Sequence, residues 1–403
     1  MQKRIRMVSI GIILIVLFIS VIILNNNTNY KHTFKKDGIL YALSLDGKSI
    51  TSFPSRGLYK VNVLCKGSDG KWLYDDWKLS IENISGDVSC DIKFETITKT
   101  YFNDYITSLA GTTQGIGQVV NEKSYRYEGK NPNNYVWFNN EYWRIIGVFD
   151  SSSHGQRGKN LVKIIRADVL DGLVWHKSNT NDWTAASLNK LLNGAYYNAQ
   201  DGTSSGYCYG DGISDATANC NYTKKGIQVR YRSMIANVTW YLGGYSSNSA
   251  TAEAFYGYER GTTVYSGRPT TTTGYIGLIY PSDYGYSVLS SSCARTTSLG
   301  SYGSGTCAGQ SWLYGKGYEW TLTPVSSDSD NVFALTSAGY PNDVASFANF
   351  GNGIRPVLYL DASVYKIDGE GTLDKPYIIG MWEPLVWCGW REFPPHAGCD
   401  KKV

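Results

Sequence analysis

Charge is scarce in this chain. Asp, Glu, Lys and Arg make up 18% of its 403 residues, against roughly 25% in a typical soluble domain. Histidine is scarcer still. His32, His154, His176 and His396 lie far apart, and no Cys-x-x-Cys occurs, so zinc and thioredoxin-like readings have no spacing to rest on. The G-x-S-x-G elbow, the H-E-x-x-H helix and the P-loop are also missing, which removes the commonest hydrolase, metalloprotease and nucleotide-binding signatures. No repeat of fixed period is visible. The net charge is +4, but residues 1–36 hold six basic residues and no acid, which leaves −2 for the remainder. A near-neutral chain beyond residue 36 has no electrostatic footprint for nucleic acid.

What is present is tyrosine and glycine: 32 Tyr and 43 Gly, with aromatics at 14%. A Tyr-, Gly-, Ser- and Asn-rich, charge-poor composition suits β-rich extracellular modules. Tyrosine supplies contact area at low entropy cost on binding surfaces, and equally fills half-buried strand positions.

The clearest signal is N-terminal. Lys3, Arg4 and Arg6 precede an uncharged run from Met7 to Leu24. Eighteen residues of helix span roughly 27 Å, close to a bilayer core of about 30 Å. Leu24 runs straight into Asn25, Asn26 and Asn27 with no A-x-A-like site, so residues 1–24 are expected to be an uncleaved signal anchor. The partner this implies is a membrane. Lys31, Lys35 and Lys36 on the far flank weaken the charge asymmetry. The cysteines decide the orientation: Cys65, Cys90, Cys208, Cys220, Cys293, Cys307, Cys388 and Cys399 all follow the apolar run. An even count in loop-rich sequence fits disulfides in an oxidising compartment. Neighbouring pairs, Cys65–Cys90, Cys208–Cys220, Cys293–Cys307 and Cys388–Cys399, are expected, in a single-pass protein of the cell membrane with its C-terminal part outside.

Along the chain, 25–36 reads as a linker. Residues 37–96 read as a small β module. Asp46-Gly47 and Asp69-Gly70 are its turns, and Cys65, Trp72 or Trp77 and Cys90 on successive strands suggest an immunoglobulin-like sandwich. Residues 97–124 read as a second linker with a short helix near Tyr101–Leu109. A hairpin is expected from Tyr135–Phe138, the Asn139-Asn140 turn and Tyr142–Val148, then a strand over Leu161–Ile165. Trp183–Tyr197 reads as a helix capped by Asp182 or Thr184, with Leu188, Leu191 and Leu192 on one face. A second helix is expected over Ile227–Tyr241, and strands over Tyr275–Tyr280, Trp312-Leu313, Glu319–Leu322, Val332–Leu335 and Ile354–Leu360. Residues 287–310 read as a long loop, and 365–403 as a tail.

Five motifs follow one another: FNNEYWRIIGVF (Phe138–Phe149), NDWTAASLNKLLN (Asn181–Asn193), YIGLIYPSDYG (Tyr275–Gly285), SWLYGKGYEWTLTP (Ser311–Pro324) and GNGIRPVLYL (Gly351–Leu360). In this order, over residues 125–364, the chain resembles a bacterial surface-protein domain of unknown function, related to the formylglycine-generating-enzyme-like and C-type-lectin-like folds. The N-terminal β module resembles one that precedes such domains. The resemblance implies an α+β fold: a transmembrane helix, a small β sandwich, then a lectin-like domain. It does not carry activity over. Cys293 and Cys307 lie fourteen positions apart in a Ser/Gly loop, unlike the reactive pair of the formylglycine-generating enzymes, and the Trp-Asn-Asp motif of true C-type lectins is absent.

The expected function is a membrane-anchored adhesion or binding protein that displays this domain to a glycan, peptide or protein. The alternatives are an envelope enzyme acting on cell-wall or glycan material, and a structural envelope component. The candidate ligand face is Tyr314–Ala348, with Tyr314, Tyr318, Tyr340, Asn342, Asp343 and Phe347 as candidate ligand-binding residues, of which Tyr340, Asn342, Asp343 and Phe347 are expected to be at least partly exposed; the aromatics, Trp320 among them, could sit on the face or in the core. Trp183, Leu188, Leu191, Trp312, Arg355 and Pro356 are expected to be structural, with Arg355 held by an acid. No catalytic residue and no cofactor is identified. Asp328, Asp330 and Asn331 offer oxygens to calcium, without the Gly and distal Glu of an EF-hand loop. Asn83, Asn221 and Asn237 head chance glycosylation sequons.

Overall fold

The computed structural model describes residues 33–36, 38–111, 119–121, 124–178, 180–210, 219–303, 307–315, 317–342 and 351–381. It is a mixed α+β structure, rich in strands, with few and short helices. The chain divides near Thr98 into two compact units. No described helix is long and apolar enough to cross a membrane; the expected anchor and the Cys388–Cys399 pair lie outside the described residues.

In the first unit, strand Ile39–Leu45 runs parallel to Ser89–Thr96, which pairs on its other side with antiparallel Tyr59–Lys66. Thr33–Lys36 and Lys48–Ile50 share the remaining edge. Asp46 and Gly47 both take positive φ, the turn that matches the twist of a two-residue hairpin. The Asp46 carboxylate also accepts from Thr96 N and Oγ, each at 2.7 Å. A hairpin, Asp69–Leu73 with Lys78–Glu82, lays Trp72 against Phe94, ring centroids 5.1 Å apart. Two expectations are corrected here. The turn is at Gly67, not Asp69-Gly70. Gly70 lies inside a strand, where a Cβ would come within 2.3 Å of Cys65 Sγ, so this glycine permits close approach rather than a bend. And Cys65 stands directly opposite Cys90 in one antiparallel pair, Cα atoms 4.1 Å apart. An immunoglobulin disulfide joins two sheets. This one ties neighbours within one sheet, which also contains a parallel pair.

The second unit is built on a nine-stranded sheet. Its path runs Ile276–Gly277, Val357–Tyr359, Leu161–Arg166, Glu141–Phe149, Tyr135–Phe138, Tyr377–Gly380 and Tyr365–Asp368. Tyr125–Tyr127 pairs with Glu141–Phe149, and Val119–Asn121 pairs with Tyr125–Tyr127. The Asn139-Asn140 turn has both residues at positive φ, so the expected hairpin forms. Every side chain of Leu161–Arg166 is buried, Lys163 and Arg166 included, so this strand is covered on both faces. A second sheet orders Leu170–Leu173, Asn352–Ile354, Glu319–Pro324, Val332–Leu335 and Pro341–Asn342.

Several expected elements differ. GNGIRPVLYL is two strands in two sheets, Asn352–Ile354 and Val357–Tyr359, and the chain changes sheet at Arg355-Pro356. Proline cannot donate to a ladder, and the Pro356 carbonyl accepts from Arg166 N at 3.0 Å. Ile227–Tyr241 is helical only over Val229–Arg232. Val238–Tyr241 is a strand paired with Thr271–Gly274, because its β-branched and aromatic run favours pairing. Over Trp183–Tyr197 the α-helix is Ser187–Leu191, continued by a π-helical turn to Tyr196. There Asn193 Oδ1 accepts from Tyr275 N and Ile276 N, docking the short strand Ile276–Gly277. The expected linker and tail belong to the second unit: helix Phe102–Ser108 buries Phe102 and Ile106 in its core, and two strands of 365–380 join the large sheet.

Three disulfides form among the described residues: Cys65–Cys90, Cys208–Cys220 and Cys293–Cys307, as the spacing suggested. They are consistent with an extracellular protein. Replacing Trp72 with Ala should destabilise the full chain by about 3–5 kcal/mol; chemical denaturation measures it, and a change below about 1 kcal/mol would contradict the packing described.

Candidate functional site

Two features of the second unit could carry function. The first is a buried ionic centre. Tyr125–Tyr127 brings in Arg126, Leu161–Arg166 brings in Lys163, and helix Pro281–Ser287 supplies Asp283 from its first turn. Arg126 Nη1 donates to Asp283 Oδ1 at 2.8 Å, and Lys163 Nζ to Oδ2 at 2.5 Å. Tyr280 N also donates to Oδ2, at 3.2 Å, closing the helix start. Lys163 and Asp283 side chains are 0% exposed. Burial alone would raise the Asp283 carboxyl, but Lys163 and Arg126 overcome it and hold it at about 2. Burial pushes the Lys163 ammonium down to about 8, against the pull of Asp283.

Beside this triad, Glu259 accepts from Ser282 N at 2.9 Å, Ser282 Oγ at 2.5 Å and Arg260 Nη1 at 3.2 Å. Burial pushes its carboxyl up to about 7 in spite of Arg260. Rings close the shell. Arg126 lies 4.5 Å from the Phe149 centroid and 4.6 Å from that of Tyr286; Lys163 lies 4.4 Å from Tyr280 and Arg260 3.5 Å from Tyr256. His154 is fully buried, with Nδ1 accepting from Gln156 N and Nε2 facing the Phe149 carbonyl. That fixes a neutral tautomer, and burial lowers its proton affinity. Perturbed proton affinities often mark active sites, but every oxygen of Asp283 and Glu259 already has a protein donor, and a substrate would have to enter a buried core.

The second feature is the segment from Trp312 to Asn342. Trp312 is buried and donates to the Tyr127 carbonyl at 2.9 Å. Trp320 is also core, donating to the Leu173 carbonyl at 2.7 Å. Tyr318 is 55% exposed. Tyr314 and Tyr340 are half-buried against the core, the former donating to the Ser337 carbonyl at 2.7 Å. Asn342 is half-buried at the end of a sheet. Asp343 and Phe347 lie outside the described residues.

Other sequence candidates fall as follows. Trp183, Leu188 and Leu191 are buried. Asp182 accepts from Thr184 N and Oγ. Arg355 donates to Glu319 Oε2 at 2.7 Å, so it has the acidic partner expected of it. Asp328 spends its carboxylate on Asp330 N and Asn331 Nδ2, and among the described residues no three ligating side chains gather. The ionic centre was missed in sequence. Its only traces are a lysine inside the apolar run Leu161–Ile165 and an aspartate three residues after Tyr280.

Changing Asp283 to Asn should destabilise the chain by about 3–5 kcal/mol, because two buried cations lose their counter-charge. The sign of the pH dependence follows. A carboxyl depressed in the folded state contributes stability above its unfolded value and loses it on acidification. The Asp283 contribution should therefore fall away between about 3.8 and about 2; wild-type and variant unfolding curves that fail to converge in that range would contradict it.

Comparison with family models, with curated proteins and with solved structures returns no match.

Proposed function

We propose that this is a membrane-anchored binding protein of the cell surface, whose second unit offers a Tyr-rich face to a glycan, peptide or protein ligand. One observation carries the reading. The groups with catalytic-type proton affinities, Lys163, Asp283, Glu259 and His154, are enclosed, whereas Tyr318 stands in solvent and Tyr314, Tyr340 and Asn342 of the same segment are half-buried. Exposed tyrosine on a rigid scaffold is suited to recognition. The anchor rests on the apolar run 7–24, and the outward orientation on the disulfides. The order of the five motifs supports a lectin-like architecture for this unit.

On a glycan and protein array, the full chain should bind at least one ligand without turning it over. Tyr318→Ala should weaken that binding roughly tenfold or more while thermal stability stays within about 0.5 kcal/mol of wild type, as for other surface changes. Trp312→Ala should act the other way round, mainly on stability. Binding that survives Tyr318→Ala unchanged, or turnover of a bound ligand, would refute the proposal.

A further inference from the structure

Arg144 is a buried cation without an acid. It is 9% exposed. Its Nε donates to Asn134 Oδ1 at 2.8 Å and its Nη2 to the Pro132 carbonyl at 3.3 Å, and no carboxylate pairs with it among the described residues. Its guanidinium lies between two rings, 4.2 Å from the Tyr135 centroid and 4.7 Å from that of Trp312. Burial lowers its proton affinity to about 10, and the neighbouring Arg355 adds to that fall. Arg355 is 6% exposed. It donates through Nε to Glu319 and through Nη2 to the carbonyl of Leu313, the residue after Trp312. Nη1 of neither arginine has a hydrogen-bond partner among the described residues. The two buried guanidinium groups thus have one acid between them, Glu319, which pairs with Arg355, and ring faces return less than burial takes from a charge.

We infer that Arg144 and Arg355 form a subsite for the carboxylate of an acidic sugar on the binding face. This rests on the proposed binding reading and names its ligand class. The surplus is one positive charge, which a monoanion balances; a phosphate monoester, with nearly two charges at neutral pH, would overshoot. The planar fork of a guanidinium suits a two-oxygen acceptor. A sugar rather than a bare carboxylate is favoured because Tyr318, exposed and next to Glu319, and Tyr314 provide ring faces for the C–H surface of a pyranose.

Titration of the full-length protein with glucuronate, glucose, acetate and inorganic phosphate, followed by calorimetry, tests the subsite. Glucuronate should bind at least tenfold more tightly than each of the others. Arg144→Gln should erase the preference over glucose; Arg144→Lys, which keeps the charge and the fold but loses the fork, should reduce it several-fold. Glucose equal to glucuronate, or no binding by glucuronate, would overturn the inference. Acetate or phosphate equal to glucuronate would overturn it too, by removing the sugar or the single charge from the recognition. If an arrayed ligand is lost with Tyr318→Ala yet unaffected by Arg144→Gln, the acidic-sugar subsite fails and the binding function stands.

Discussion

The second unit depends on a carboxylate that cannot be removed from between two cations. Asp283 is 157 positions from Arg126 and 120 from Lys163, so one side chain ties a helix start to two strands of the large sheet. Replacing such a triad by apolar residues of similar volume can be neutral, but removing one member leaves a charge stranded in the core. Its value is therefore geometric. Only one register of Tyr125–Tyr127, Leu161–Arg166 and Pro281–Ser287 brings all three groups together, and Phe149, Tyr280 and Tyr286 pack on the result. Glu259 repeats the device one helix away, receiving Ser282 N and Oγ from the residue beside Asp283.

The parts of this fold legible in sequence are those decided locally. Asn139-Asn140 specifies a hairpin because both residues tolerate positive φ. Near-neighbour cysteines pair because little chain separates them, and Leu188, Leu191 and Leu192 mark a buried helical face. What was illegible is decided by partners distant in sequence. Nothing local tells that Arg355-Pro356 carries the chain from one sheet to the other, since Ile354–Leu360 reads as a plain strand. Val238–Tyr241 has a helix-like spacing with Met234, and its β-branched and aromatic run is realised as a strand where Thr271–Gly274 pairs with it. Gly70 looks like a turn residue and is instead the bare spot that a disulfide requires.

The candidate site divides in the same way. Trp312 as core, Arg355 with an acid and Tyr318 in solvent could be read from residue type and context. Lys163 and Asp283 could not, because a single lysine in an apolar strand announces burial only once its counter-ion is known. Arg144 looks like one more charged residue near the start of a strand until Tyr135 and Trp312 are seen to close over it. Two roles are therefore separate in one unit. Charges enclosed with their counter-charges set the register, whereas Tyr318 stands in solvent and the buried Arg144 is held by rings rather than by an acid.

The enclosure of the ionic centre is the claim on which that separation stands. Reductive methylation of the native full-length protein, followed by peptide mass mapping, measures it. A lysine whose proton affinity is lowered to about 8 would react faster than an ordinary one if reagent reached it. The account predicts that Lys163 stays unmodified while Lys375, its side chain 67% exposed, is fully methylated. Modification of Lys163 as fast as Lys375 would show a centre open to solvent and to substrates, and would contradict the assignment of its charges to structure.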